Sequence, residues 1–278
     1  MGIVNATPDS FSDAGERRTL TERVELARTL LDSGAEVIDI GGESGVTNRP
    51  AVSPQEEMDR VLALIERVAG ELGALVSIDT YKPAVARAAI AAGAAIVNDV
   101  SGLADPELAE VCAETGAGLV LMHTHAAPKE KRVDLSLDGR VAADVEAFLR
   151  ERIELATGRG MDFEQLMLDP GPDFGKTPAQ TIEALRELDA LHRLARPLLL
   201  AVSRKDFVGA LTARPPRARL AGTLAAVGYG ADAGVHMLRV HDVAEVTDFL
   251  AVRAALRAEA AVQPDLRLGD ELRWDQGA

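Results

Sequence analysis

The sequence has little cysteine and few basic residues, and both shortages limit what the protein can be. The single cysteine, Cys112, excludes an intrachain disulfide and is typical of the reducing cytoplasm. Lysine and arginine total 30 against 44 aspartate and glutamate, and this net charge of −14 argues against a nucleic-acid or anionic-membrane surface. No run approaches the roughly 18 to 20 apolar residues of a membrane span, and no signal peptide precedes the first apolar run. We therefore expect a cytoplasmic protein with no nucleic-acid partner and no membrane partner.

Aromatic residues are also scarce, at 3%, so the core must be built from aliphatic side chains. Short aliphatic runs alternate eight times with longer amphipathic segments, such as residues 21–31 and 54–72. The predicted strands cover residues 2–5, 36–40, 75–78, 96–98, 119–123, 166–169, 197–202 and 236–240. Eight such units predict an α/β fold of the (β/α)8 TIM-barrel type in a single domain, residues 1–257, with a C-terminal tail over 258–278. An open doubly wound sheet would show fewer units and a GxGxxG turn after its first strand, and the sequence has neither.

Every predicted strand ends on or next to a polar residue, and in such a barrel the ligand site is built at these ends. In order, the residues are Asn5, Asp39, Asp79, Asn98, His123, Asp169, Ser203 with Lys205, and Arg239 with His241. A single strand-end Asp or Asn often only caps a turn, but that explanation is poor for all eight positions.

The residue types at these ends suggest a planar polar ligand that carries phosphate. Asp79, Asn98 and Asp169 can accept the donors of a nitrogen heterocycle such as a 2-amino-4-oxo pyrimidine. Lys205, Arg239 and His241 follow strands seven and eight, the usual phosphate corner of the barrel.

Asn5 and the loop after it offer oxygen ligands beside that corner, which suits a Mg2+ ion shared with a diphosphate. The alternative is that this loop, which contains Thr7-Pro8-Asp9-Ser10, is an ordinary capped turn. His123 and His125 lie two residues apart, with no cysteine or HExxH motif near them, so the sequence does not predict a zinc enzyme.

Nine motifs in order carry a family resemblance from Met1 to about residue 255. They are GIVNATPDSFSD at 2–13, GGES at 41–44, SIDT at 77–80, VNDVSG at 97–102, LMH at 121–123, DPG at 169–171, FGKT at 174–177, SRK at 203–205 and RVHDV at 239–243. With these motifs, the chain resembles dihydropteroate synthase.

The resemblance implies condensation of 6-hydroxymethyl-7,8-dihydropterin diphosphate with 4-aminobenzoate, giving dihydropteroate and diphosphate in folate biosynthesis. It also implies Mg2+ as cofactor, sulfonamides as inhibitors, a homodimer, and a dissociative reaction in which the bond to diphosphate breaks first. The implied substrate-binding residues are Asn5, Thr47, Asp79, Asn98, Met122, Asp169, Phe174, Lys205, Asp206, Arg239 and His241, with Asn5 also binding the metal. The implied catalytic residues are Asp13, Arg49, Lys205, Arg239 and His241.

Three departures from the family pattern lie on the aminobenzoate side. The second loop is longer than the usual GGESTRPG and reads Gly45-Val46-Thr47-Asn48-Arg49-Pro50 after GGES. Asp173 stands where a glycine-like residue is usual, and the loop 123–129 differs from the common pattern. Asp206 follows SRK, where its carboxylate would repel that of aminobenzoate unless it turns away or pairs with Arg204.

Two other functions stay open at this point. One is a pterin-binding paralogue with weak or no synthase activity. The other is a methyltetrahydrofolate-dependent methyltransferase, whose barrel shares the Asp and Asn strand ends but lacks the diphosphate cluster of Asn5, Lys205, Arg239 and His241.

Overall fold

The fold was examined in a computed structural model, which describes residues 1–7, 19–43, 50–130, 132–269 and 272–273. Within these residues, eight short strands alternate with helices. The strands are β1 Gly2–Asn5, β2 Val37–Gly41, β3 Leu75–Asp79, β4 Ala94–Asp99, β5 Gly118–Met122, β6 Leu166–Asp169, β7 Leu199–Leu200 and β8 Met237–Leu238. The helices are α1 Leu20–Asp32, α2 Pro54–Leu72, α3 Pro83–Ala91, α4 Glu107–Thr115, α5 Val141–Gly158, α6 Pro178–Arg186, α7 Leu188–Leu191, α8 Asp206–Thr212, α9 Leu220–Asp232 and α10 Val243–Leu256.

The strands form a closed parallel barrel. Strands β1 to β6 pair in sequence order, and β7 pairs with β8. Single bridges join the two sheets, between Leu168 and Leu198 on one side and between Gly2 and Val240 on the other. Because the strands run in parallel, all of their carboxyl ends meet at the same end of the barrel.

Local sequence signals set the helix boundaries. Helix α2 begins after Ser53, whose hydroxyl accepts the Glu56 N–H, and has Pro54 in its first turn, where a missing N–H costs nothing. It ends at Gly73, which has a positive φ of 63°. Helix α1 begins with a capping box between Thr19 and Glu22.

Two layers of apolar side chains hold the barrel together. Outside the strands, Ile38, Ile40 and Ile78 are fully buried against the helices. Inside the barrel, a smaller cluster contains Val120, Leu199 and Ala201, with Met1, Ile96, Met167 and Met237 packed on it. The interior is therefore a packed core, and a ligand can bind only at one end of it.

The predicted barrel is confirmed, and all eight strands lie where the sequence placed them. The last two are shorter than predicted, two residues each in place of 197–202 and 236–240, because only those residues form a continuous ladder. The division at residue 257 stays a prediction. Among the described residues, no helix is long and apolar enough to cross a membrane.

Candidate active site

Arg239 lies in the middle of the ring of strand ends. Its Nε donates to Asp39 Oδ2 at 2.7 Å, and its Nη2 donates to Asp79 Oδ2 at 2.8 Å. Asn98 Nδ2 lies 3.4 Å from the same Asp39 oxygen. The β2, β3 and β4 ends are adjacent in the barrel, so the guanidinium joins β2 to β3, and Asp39 connects it to Asn98 of β4.

The residues expected to bind the heterocycle and those expected to bind phosphate are not separate groups in the structure, because Arg239 joins them. The sequence grouped Arg239 with His241 as a phosphate ligand, whereas the structure pairs it with Asp79 of the pterin group. Asp39 was noted as a strand-end residue but not selected as a site residue, although it is the fully buried partner of this arginine. Its position two residues before the end of β2 gave no signal that it faces inward.

Burial dominates the electrostatics of this cluster. It raises the pKa of Asp79 to about 7, Arg239 opposes that shift, and Asp39 adds to it. Burial opposes charging of Arg239 as well, but Asp39 and Asp79 outweigh it and raise the pKa of the guanidinium. Asp39 Oδ1 and Ser77 Oγ are buried without a hydrogen-bond partner among the described residues. Polar atoms of this kind, close to the strand ends, suit a polar ligand.

Asp169, at the end of β6, is buried beside Met122 of β5, with which it is in register. Its Oδ1 accepts the Gly171 N–H at 2.7 Å. Burial raises the pKa of Asp169, while this bond and the nearby Lys205 lower it. Gly171 is required here, because it has a φ of +64° and a Cβ would lie 2.1 Å from the His123 carbonyl oxygen.

Lys205 and Phe174 are in contact on the same side of the site. The Lys205 ammonium lies 4.4 Å from the centre of the Phe174 ring, a cation–π distance. Burial lowers the pKa of Lys205, and Asp173 and Asp169 oppose that shift. Phe174 is partly buried, so this pair presents both an aromatic face and a positive charge.

His241 follows β8 and Asn5 ends β1, and these two strands are neighbours where the barrel closes. His241 Nδ1 lies 3.0 Å from Ser203 Oγ, which also accepts the His241 backbone N–H at 3.2 Å. The hydroxyl hydrogen of Ser203 is then directed to Nδ1, which leaves the ring proton on Nε2 as a donor. Burial, with Arg204 and Arg239 nearby, lowers the pKa of His241 to about 3. Asn5 ends β1 in register with Gly41.

Of the two possibilities left open for Asp206, turning away or pairing with Arg204, the structure shows the first. Arg204 forms an ion pair with Asp242 at 2.5 Å, because both residues lie at the start of the last two βα loops. Asp206 instead pairs with Arg219 at 2.9 Å, and its side chain is 86% exposed. The carboxylate therefore turns outward.

The backbone conformation and hydrogen bonds of Asp173 account for its departure from the family pattern. Its φ is +64°, a conformation that favours glycine but that aspartate tolerates better than most residues. Its Oδ2 accepts the N–H groups of Asp206 and Phe207, at 2.6 and 3.3 Å. The carboxylate is therefore used to begin helix α8 and to hold the segment that follows Lys205.

Two described lysines beside the site, the partly buried Lys82 and the buried Lys176, are not among the residues selected from the sequence. Lys82 Nζ lies 2.6 Å from both Glu43 and Glu57, and Lys129 also pairs with Glu43, at 3.2 Å. Lys82 thereby ties the residue that begins the second loop to helices α2 and α3. Lys82 and Glu43 are 39 positions apart, so no local sequence pattern could have predicted this pairing.

The second lysine, Lys176, is buried and lies behind Asp169 and Phe174. Its Nζ donates to the carbonyl oxygens of Gly171 and Phe174, at 2.9 and 3.2 Å, and contacts His123 Nδ1 at 2.7 Å. Burial lowers the pKa of this lysine to about 7. Its position in the FGKT motif was the one available signal. The bonds from Lys176 to the two carbonyl oxygens fix the shape of the loop between Asp169 and Phe174.

Ten of the thirteen residues selected from the sequence lie among the described residues. Nine of them lie at this end of the barrel, at the strand ends and in the loops that follow, whereas the side chain of Asp206 faces outward. The selected residues Asp13, Thr47 and Arg49 lie outside the described residues, as does the longer second loop that contains the last two.

These features define a barrel enzyme with a buried, charged site for a polar ligand at the carboxyl ends of its strands. Comparison with known proteins narrows the class. A family model described as pterin binding enzyme matches residues 1–241. The dihydropteroate synthase of Bacillus subtilis is 42% identical over 247 residues, which cover 88% of this chain and 84% of that protein. That of Escherichia coli K12 is 39% identical over 260 residues, 93% of this chain and 92% of that protein.

A solved structure agrees with these relatives. The Xanthomonas albilineans dihydropteroate synthase with 4-aminobenzoic acid has a TM-score of 0.85 and 42% identity, and the match covers 92% of each chain. The chain belongs to the family of pterin-binding enzymes. The resemblance seen in the sequence is confirmed, as is the enzyme class, a transferase of the dihydropteroate synthase type.

Proposed function

We propose that this chain condenses 6-hydroxymethyl-7,8-dihydropterin diphosphate with 4-aminobenzoate, releasing diphosphate and forming dihydropteroate. The observation that carries the proposal is the ring of Asp79, Asn98 and Asp169 around Arg239 and Lys205, in which Asn98 and Asp169 are buried and Asp79 is partly buried. Solved dihydropteroate synthases from X. albilineans, with 4-aminobenzoic acid and with 7,8-dihydropteroate, support the two substrates.

Asp169, Asn98 and Asp79 are proposed to hold the pterin. Pterins present N–H and NH2 donors along one edge, and buried carboxylate and amide oxygens are matching acceptors. Met122 lies in register with Asp169 and offers an apolar surface to the flat ring. Desolvation of Asp169 makes a bond to a ligand donor more favourable than in water.

The diphosphate is proposed to lie between His241, Arg239 and Asn5. His241 is neutral, so it acts there as a hydrogen-bond donor through Nε2, while Arg239 supplies the positive charge. Arg239 is already paired with Asp39 and Asp79, so the arginine is held in place before substrate arrives.

We also propose a Mg2+ ion beside the diphosphate. The amide oxygen of Asn5 and the unpaired Asp39 Oδ1 fit a hard cation, which takes oxygen ligands and shares them with phosphate. When bound, Mg2+ neutralises charge on the leaving diphosphate.

The aminobenzoate is proposed to lie against Phe174 and Lys205. The ring of Phe174 provides a stacking surface, and the Lys205 ammonium provides the charge that a carboxylate requires. Asp206 does not oppose that carboxylate, because it is exposed and paired with Arg219. Contributions from Asp13, Thr47 and Arg49 stay predictions.

In the proposed reaction, the C–O bond to diphosphate breaks first and both electrons leave with the oxygen. The amine nitrogen then forms the new C–N bond and loses a proton. Asp79 and Asp169 stabilise the positive charge on the pterin methylene, and Arg239 and His241 stabilise the negative charge on the leaving group.

We propose that the protein is a homodimer in the cytoplasm. Helices α9 and α10 pack on each other and expose Tyr229, Val252 and Leu256, which are 48%, 61% and 83% exposed. Apolar groups of this size on adjacent helices suit a subunit interface. Light scattering after size exclusion should give twice the chain mass for the native protein and the monomer mass for Val252→Asp with Leu256→Asp. The control, Leu211→Asp on α8, should stay dimeric, and a monomeric native protein would refute the proposal.

The cytoplasmic location stays a prediction from the single cysteine, which is free and buried.

The function is tested by turnover. Purified protein, Mg2+, the pterin diphosphate and 4-aminobenzoate are mixed, and both diphosphate and dihydropteroate are measured. We expect stoichiometric release of the two products, and a loss of both in Asp169→Asn. Pterin binding without turnover would instead identify a binding paralogue, and methyl transfer from methyltetrahydrofolate would identify the methyltransferase alternative.

A further inference from the structure

His123, the polar residue that follows β5, forms a cluster with His125 and Asp144, and the proposed reaction uses none of the three. Asp144 Oδ2 lies 2.9 Å from His123 Nε2 and 2.7 Å from His125 Nε2. The two histidines follow β5, whereas Asp144 lies in the first turn of α5. One ligand atom from each of the three residues lies within 4.8 Å of the other two.

The two imidazole rings are held in place by a third ring. His123 and His125 pack edge-on, with their centres 5.0 Å apart, and the Phe148 ring contacts them at 4.9 and 5.4 Å. Phe148 lies one turn beyond Asp144 on α5, so the same helix positions the rings and provides the carboxylate. Both Nε2 atoms therefore converge on one oxygen without a ligand present.

We propose that His123, His125 and Asp144 bind one divalent transition-metal ion, for which Zn2+ is the natural probe. Two imidazole nitrogens and one carboxylate oxygen are ligands that suit first-row metals, and three protein ligands leave a position for water. Bonds of about 2.0 to 2.1 Å in a tetrahedral site separate ligands by about 3.3 Å. The present distances are about half an ångström shorter, which small rotations of the exposed His125 ring and of Asp144 correct.

The three residues differ in exposure, and this difference shows from which side an ion reaches the site. His123 is 2% exposed, Asp144 is 25% exposed, and His125 is 42% exposed. An ion therefore enters from the His125 side and is bound against the buried ring. Bound there, it would join the loop after β5 to α5.

The position of Lys176 affects the metal affinity of this site. Its ammonium lies on the Nδ1 side of His123, which leaves Nε2 to face Asp144. Metal-binding histidines usually have a carboxylate or carbonyl acceptor at their other nitrogen, and a cation there weakens binding. We therefore expect weaker binding than in a closed structural zinc site.

The test uses the full chain after treatment with a chelator, in excess Mg2+ so that oxygen-only sites are already filled. Zn2+ is titrated by calorimetry, and Co2+ binding is followed by visible absorption. We expect one ion per native chain. Asp144→Ala and His125→Ala should each weaken binding at least about ten-fold. Both residues are partly exposed, and circular dichroism checks that the variants are folded.

His192→Ala is the matched control. His192 is also partly buried, packs against His236 at 5.9 Å and lies before β7, at the other end of the barrel. It should bind Zn2+ as the native chain does. Equal affinity in the native chain and the two ligand variants would overturn the proposal, as would a native chain that binds no Zn2+. Either result leaves the proposed synthase activity untouched, because no step of it uses this cluster.

Discussion

At the scale of single residues, the least expected feature is the exposure of Asp206. A carboxylate next to the SRK motif suggests repulsion of 4-aminobenzoate, yet the side chain is 86% exposed and paired with Arg219. Exposed ion pairs of this kind contribute little energy. Its backbone has the larger structural role, because the Asp206 N–H donates to Asp173.

We therefore predict that Asp206→Ser leaves the KM for 4-aminobenzoate within about two-fold of the native value, less than about 0.5 kcal/mol. Steady-state kinetics with the pterin diphosphate held at saturation measures this. As a matched comparison, Phe174→Ala should raise the same KM, because it removes the aromatic face beside Lys205. A large drop in KM for Asp206→Ser would place its carboxylate in the aminobenzoate pocket.

Asp79 gives a prediction for pH. Its pKa is about 7 in the folded protein, mainly because of burial, and about 3.9 in the unfolded chain. Between these values the folded state binds more protons than the unfolded state, so stability falls as the pH rises through that window. The stabilising contribution is present in acid and lost by about pH 7.

We expect the free energy of unfolding of the native protein, relative to Asp79→Asn, to fall as pH rises from about 4 to about 7. Urea denaturation at a series of pH values gives this difference. The variant keeps the shape of the side chain but does not titrate in this range. A difference that is constant or that rises with pH would contradict the assigned direction of the shift.

At the scale of secondary-structure elements, Lys82 connects three parts of the barrel rim. It precedes α3 and pairs with Glu57 of α2 and with Glu43 after β2. Glu43 and Glu57 are 7% and 1% exposed, so removing the lysine leaves Glu57 buried without its cation and Glu43 with Lys129 alone. Burial opposes ionisation of Glu43, but the bonds from Lys82 and the Val52 N–H, together with the charges of Lys82 and Lys129, outweigh it and lower the pKa of Glu43.

Lys82→Met should therefore lower the free energy of unfolding by about 3 to 5 kcal/mol. The control is Arg67→Met, which removes the exposed pair of Arg67 with Glu71 and should cost no more than about 0.5 kcal/mol. Both are measured by denaturant titration at neutral pH. Equal costs for the two variants would show that Lys82 is not an anchor of the rim.

The elements were predictable from the sequence to different degrees. Helix α2 was predicted with its observed bounds, because Ser53, Pro54 and Gly73 mark its ends. Strands β7 and β8 were predicted too long, because apolar periodicity marks the extended segment and not the hydrogen-bonded ladder. The pairing of Lys82 with Glu43 depends on tertiary contacts between residues 39 positions apart, which no local pattern reports.

The same limit applies to the site. Asp79, Asn98 and Asp169 were predictable because each ends a strand, and parallel strands end together. The partner of Arg239 was not, because Asp39 is 200 positions away and its direction depends on how the barrel closes. The cluster of His123, His125 and Asp144 was missed for the same reason, since the sequence shows two histidines but not the carboxylate that α5 brings to them.

At the scale of the whole molecule, the central claim is that the ring of polar residues at the strand ends is a pterin site. Barrel closure makes that ring, by bringing β8 beside β1 so that Arg239 reaches Asp39 and Asp79. Asp169 on the other side of the ring has no cation at bonding distance among its described hydrogen bonds, so a ligand donor can be its main partner.

The most direct test is calorimetric titration of the dihydropterin diphosphate, with Mg2+, into the native protein, Asp169→Asn and the exposed variant Asp206→Asn. Loss of a buried bond to a charged acceptor costs about 1.5 to 3 kcal/mol, so Asp169→Asn should bind at least about ten-fold more weakly. Asp206→Asn should bind as the native protein does. Equal binding by all three proteins, or binding lost equally in both variants, would contradict a pterin site at the strand ends.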